Sequence, residues 1–159
     1  MGSMQISATA LFPADPVRVF AMQTDRAFLE EVCRLGGAVA YEVEAIGNRT
    51  KMSRSMPSPD VARKFVGDTI TVVETYLWGT ASADGTRIAD LVVDVPGTPG
   101  RMTGAAVLSP TPSGSQIVVS GDLVVRLPLV GRKLEQAAAP ALTAGVEVQE
   151  KVARRYLLA

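Results

Sequence analysis

The chain opens on alternation. From Gln5 to Phe12, Ile6, Ala8 and Ala10 fall on one parity and Gln5, Ser7 and Thr9 on the other, the period of a half-buried strand. Pro13-Ala14-Asp15-Pro16 then breaks it. Asp15 is placed to cap the amides that follow, and Pro16 suits the first helical position, where its missing N–H costs nothing. A short helix from Pro16 to about Met22 is predicted. Thr24 or Asp25 opens a second, in which Phe28, Leu29, Val32 and Leu35 recur at helical spacing. Gly36-Gly37 ends it by permitting a left-handed backbone.

A long run of strand signals comes next. Val39, Tyr41, Val43 and Ala45 share one parity, with Glu42 and Glu44 on the other. Asn48 turns the chain and Thr50 to Met56 runs back, until Pro57-Ser58-Pro59 stops it. Asp60 to Val66 reads as a short connection with a helical turn. Thr69 to Trp78 is β-branched and aromatic, Asp84-Gly85 marks a hairpin, and Thr86 to Val95 returns. Pro96 to Gly100 reverses the chain into Arg101 to Leu108. Pro110 to Gly114 reverses it again into the last strand, Gln116 to Leu127.

From Gly131 the period changes. Leu134, Ala138, Ala141, Gly145, Val148, Val152 and Tyr156 recur at three- and four-residue intervals and mark one face of a helix. A helix of that length reaches about 40 Å, and Pro140 inside it predicts a kink or a break. The order is strand, two short helices, six strands, one long helix. Antiparallel strands joined by short turns must bury one face, and the long helix is the element available to cover it. The expectation is an α+β fold, residues 4–159 forming one domain, with a curved seven-stranded antiparallel sheet wrapped around the C-terminal helix. Ala138, Ala141 and Gly145 are small where the helix meets the sheet, which leaves room for a ligand between them.

Composition narrows the function classes. Hydrophobic residues make up 47% of the chain, too many for a disordered polymer. Met1-Gly2-Ser3 ahead of Met4 reads as a cloning remnant. Lys plus Arg and Asp plus Glu balance at 16 each, which argues against a nucleic-acid binder and its basic face. Cys33 is the single cysteine, so no internal disulfide forms and a reducing, cytoplasmic setting is expected. Its apolar neighbours in a predicted helix suggest a buried, inert thiol, and no histidine is present to activate it. No apolar run is long enough to predict stable membrane insertion. With no histidine and one cysteine the usual zinc constellations are absent, and no nucleotide fingerprint occurs, so no cofactor is expected.

Four passages carry a family resemblance: Ala14-Asp15-Pro16-Val17-Arg18-Val19-Phe20, Tyr76-Leu77-Trp78-Gly79, Pro128-Leu129-Val130-Gly131, and the stretch from Gly121 to Glu135. In this order they resemble the START/polyketide-cyclase (SRPBCC) superfamily and, within it, a family of uncharacterised actinobacterial domains. The resemblance covers the chain from Met4 onward. It implies the helix-grip fold and a deep cavity between sheet and C-terminal helix. It assigns no catalytic residue.

The sheet parities contain one conflict. Ile70, Val72, Tyr76 and Trp78 share a side with Glu74, while Met52 and Met56 share a side with Arg54. If those parities face the cavity, Arg54 and Glu74 form an inward pair at the polar end of an apolar pocket, able to orient a ligand carboxylate, phenol or hydroxyl. If a bulge shifts the register, both charges reach solvent. Tyr41, Met52, Met56, Val72, Tyr76 and Met102 from the sheet, with Ala138, Ala141, Gly145 and Val148 from the helix, complete the candidate lining. The leading expectation is a carrier or binder of a hydrophobic small molecule such as a lipid or polyketide. A cyclase or dehydratase would use Glu74 or a pocket tyrosine as acid–base, with Arg54 polarising a carbonyl. A third class is an interaction module with a closed core. For it, or for a homodimer, Tyr156-Leu157-Leu158 and an exposed sheet edge offer surfaces.

Overall fold

The computed structural model describes residues 3–158. In chain order the elements are β1 (Met4–Phe12), α1 (Pro16–Gln23), α2 (Arg26–Leu35), β2 (Ala40–Ile46), β3 (Arg49–Pro57), α3 (Arg63–Val66), β4 (Thr69–Trp78), β5 (Arg87–Asp94), β6 (Gly100–Thr111), β7 (Gly114–Val125) and α4 (Gly131–Leu158). The seven strands form one antiparallel sheet in the order β1-β7-β6-β5-β4-β3-β2. Strands β2 to β7 are therefore a meander, and β1 closes its far side. This is the predicted helix-grip arrangement, with α1 and α2 between β1 and β2 and α4 lying across the sheet.

Local signals account for the elements. In β1, Ile6, Ala10 and Phe12 are buried while Gln5, Ser7 and Thr9 are exposed. The Arg18 N–H donates to Asp15 Oδ1 at 2.9 Å, with Pro16 in the first turn. Asp25 caps α2 by accepting from the Ala27 N–H at 3.0 Å. Phe28, Leu29, Val32 and Cys33 form the buried face of α2, and Gly37 at φ +86° turns the chain out of it. Pro110, expected in a turn, lies within β6 opposite Ser115. Near a hairpin end a proline forfeits little of the ladder.

Gly104 of β6 faces Gly121 of β7. A Cβ on Gly104 would overlap the Ser120 carbonyl, and one on Gly121 would lie 2.6 Å from the Thr103 carbonyl oxygen. Only glycine lets these two backbones approach so closely, as at the corner of a strongly curved sheet.

The long helix is held at its two ends. At the start, Leu134 and Glu135 are buried, and Glu135 Oε2 accepts from the Val125 N–H at 2.9 Å. At the finish, Val152, Ala153 and Leu157 enter the main apolar cluster. There Arg18 Nη2 donates to the Leu157 carbonyl oxygen at 3.1 Å, and the Tyr156 hydroxyl donates to Asp25. Between those anchors, from 136 to 151, no α4 residue is fully buried. The break predicted at Pro140 does not occur: the helix runs through it. Pro140 and Gln136 are both exposed, so water can meet the carbonyl that the proline leaves without a donor.

Substituting Gly104→Ala is expected to destabilise the fold by at least about 3 kcal/mol, because backbone and not a flexible side chain blocks the new methyl. Gly97→Ala, at φ +79° with open space around it, is expected to cost only about 1–2 kcal/mol. Urea titration of the two variants checks the contrast.

Candidate functional site

The apolar interior has two parts. One joins α1, α2 and the last turns of α4 to the sheet, through residues such as Phe28, Val32, Met52 and Val152. The other gathers Ile6, Leu91, Val93, Met102 and Leu123 beneath Ala138, Ala139 and Leu142 of α4. Tyr76 and Val119 pack against both. A cavity of about 20 Å³ lies at this junction, space for roughly one water.

The β3–β4 register is continuous from Arg49–Leu77 to Pro57–Thr69, with Met52 opposite Glu74 and Arg54 opposite Val72. No bulge shifts the parity, so Arg54 and Glu74 lie on the same inward face. Arg54 Nη2 donates to Glu74 Oε2 at 2.8 Å, and the two side chains are only 9% and 11% exposed. Two glycines flank the guanidinium, at distances where an added Cβ would make ordinary contact. A Cβ on Gly36, at the end of α2, would sit 3.7 Å from Arg54 Nη1, and one on Gly145 of α4 would sit 3.8 Å from Nη2. The bond to Glu74 leaves Arg54 Nε buried with no hydrogen-bond partner among the described residues. An unsatisfied buried donor costs about 1–3 kcal/mol, and more when charged.

The Glu74 carboxylate holds the Arg54 pKa above its ordinary value, against the opposing effect of burial. Burial pushes the Tyr76 phenol upward, and the adjacent Glu74 charge adds to it. Cys33, fully buried, lies with its Sγ 3.8 Å from Met52 Sδ. Burial raises its thiol to about 11, so it stays protonated near neutrality, as an inert thiol should.

Of the residues proposed from sequence, Met52, Arg54, Glu74, Tyr76, Met102 and Gly145 line the cavity. Val72 and Ala138 pack beside it on the second apolar cluster, and Val148 packs on the first. Met56 is half-buried near the end of β3 and is not in the lining. Tyr41 faces Arg54 across the β2–β3 pair yet is 37% exposed, because β2 is the outermost strand. Ala141 is exposed, whereas Gly145 is in the lining as expected, joined from the helix by Leu142, Val146 and Gln149. Alanine and glycine carry little hydropathy contrast, which left the phase of this stretch poorly marked. Leu91 and Val93, absent from the predicted lining, were signalled by their shared parity with Ala89 in β5. Among the described residues, no helix is long and apolar enough to cross a membrane.

Comparison with known proteins fits this geometry. The sequence profile of the protein-of-unknown-function family DUF2505 matches residues 7–157. The chain belongs to that family. Uncharacterised proteins of Mycobacterium tuberculosis and Mycobacterium bovis are each 27% identical to it over 154 residues, covering 94% of this chain and 87% of theirs. Among solved structures, a Thermus thermophilus protein superposes with a TM-score of 0.65 at 19% identity, covering 98% of this chain and 97% of that one. An aromatase/cyclase from a Streptomyces species gives 0.62 at 16% identity, covering 98% and 96%. A STAR-related lipid transfer protein from Xanthomonas axonopodis gives 0.56 at 14%, covering 98% and 84%. These likenesses show that the chain shares its fold with those three proteins.

Two stability measurements probe the site. Arg54→Met alone strands the Glu74 charge and is expected to cost about 3–5 kcal/mol, whereas Arg54→Met with Glu74→Met should fall within about 1–2 kcal/mol of the parent. The second concerns pH. Cys33 ionises near 9 in the unfolded chain but at about 11 when folded, so its effect on stability is nil below pH 9. As the pH rises toward 11 the unfolded state gains, by up to about 1.4 kcal/mol per unit. Denaturation curves of the parent against Cys33→Ala should diverge over that window alone.

Proposed function

We propose that the protein binds a hydrophobic small molecule, a lipid, polyketide or similar compound, in the cleft between sheet and α4, and that the cleft widens as it loads. The carrying observation is the position of the cavity. It lies where two apolar clusters meet, beneath the stretch of α4 that holds no fully buried residue. A pocket for a drug-sized ligand needs about 300–1,000 Å³, far more than the resting cavity offers. Lifting the middle of α4 supplies that volume while both end anchors stay closed. The fold is consistent with such use, and structures of the same fold include one named as a lipid transfer protein and one named as an aromatase/cyclase. Fold alone does not fix activity, so the weight rests on the cleft itself.

In this reading Met52, Tyr76 and Met102 grip the apolar body from the sheet and Leu142 and Val146 cover it from the helix. The single, buried Cys33 supports a cytoplasmic setting, and the balanced charge supports a small-molecule partner over nucleic acid. A second reading has one observation in its favour. The cavity of about 20 Å³ equally suits a closed core whose outer surfaces do the work.

Hydrogen exchange and native mass spectrometry separate the two. The proposal expects amides from 136 to 151 to exchange faster than those of the end anchors, and to slow when a neutral apolar probe binds. Gly145→Met, which carries more side chain than the cavity holds, is expected to cost about 1–3 kcal/mol by overpacking and to weaken probe binding at least tenfold. Uniform slow exchange along α4, with no probe bound, would establish the closed core.

A further inference from the structure

We infer that the polar end of this cleft selects an uncharged hydrogen-bond acceptor, the oxygen of a ketone, ester or alcohol, over a carboxylate. The inference rests on the hydrophobic-binding reading and narrows its ligand class to a largely apolar molecule carrying one neutral oxygen at the buried end.

Three observations lead to it. Arg54 lines the cavity, its side chain is nine-tenths buried, and its Nε–H has no hydrogen-bond partner among the described residues, so the site offers a donor to an acceptor placed there. The Arg54 charge is already matched, because Nη2 donates to Glu74 Oε2 at 2.8 Å. The other polar neighbours bring no spare positive charge: Cys33 is a thiol, Tyr76 a phenol, and Gln149 an amide whose Oε1 already accepts from Gln23 Nε2 at 3.0 Å.

Charge balance then decides the ligand. A carboxylate reaching Nε would place two anions around one cation in a poorly solvated site. To be matched, it would have to draw Arg54 away from Glu74 and strand that carboxylate. A neutral oxygen accepts from Nε while the ion pair stays intact. The remaining walls, Ile6, Leu91, Val93 and Val119 among them, offer only apolar surface, which suits a hydrocarbon or polycyclic body. Of the carboxylate, phenol and hydroxyl that the sequence left open, the carboxylate is thereby disfavoured and the two neutral groups are retained.

The test uses three probes of equal chain length, 2-decanone, decanoate and decane, competing at pH 7.5 against the neutral fluorophore N-phenyl-1-naphthylamine. The parent protein is expected to bind 2-decanone at least tenfold more tightly than decanoate and several-fold more tightly than decane. In the Arg54→Met, Glu74→Met double variant the ketone and the alkane should bind within twofold of each other. Arg54→Lys, which keeps the charge but removes the fixed Nε donor, should lose the ketone preference too and serves if the double variant fails to fold. Equal binding of ketone and alkane by the parent, or a preference for decanoate, overturns the inference while leaving hydrophobic binding intact. Failure of the parent to bind the fluorophore or any probe overturns hydrophobic binding itself.

Discussion

A single helix has to close a seven-stranded curved sheet, and most of the molecule follows from how it does so. Sheet curvature depends on the facing glycines Gly104 and Gly121, where the strands approach too closely for any side chain. The helix cannot follow that curve along its whole length. It meets the structure firmly at Leu134 and Glu135 and again at Val152, Ala153 and Leu157, and spans the hollow between with small residues. The two apolar clusters, and the cavity at their junction, are the geometric remainder of a straight rod laid across a bowl.

The Arg54–Glu74 pair occupies that junction at a cost. Two charges removed from water seldom offset their desolvation by attraction alone, and here one guanidinium donor is left over. Apolar residues of similar size could fill the space with less penalty. A buried arrangement that is poorer than its simplest replacement, next to a cavity, is what the proposed binding role would account for.

Much of this was legible in the sequence. Alternation in β1, the Asp15-Pro16 cap and the Gly36-Gly37 stop mark their elements by local chemistry that tertiary packing does not override. The inward placement of Arg54 and Glu74 could be read as one of two parities, but choosing between them needed an uninterrupted register, which is a property of strand pairs and not of either strand. On the helix one position was misplaced, Ala141 for Leu142, since Ala137 to Ala139, Ala141, Ala144 and Gly145 look much alike from every side. Tyr41 has the correct parity yet lies open at the edge, because no sequence pattern states where a sheet ends. The size of the cavity was beyond sequence altogether: it depends on how closely two surfaces settle.

The two-point anchoring of α4 has a kinetic meaning. In a helix packed evenly along its length, admitting a guest would mean loosening the core that keeps the protein folded. In the proposed opening, the contacts that set global stability and those that would set the rate of entry belong to different stretches of the same helix. How long a guest stays and how long the protein survives can therefore be adjusted independently, by substitutions a few turns apart.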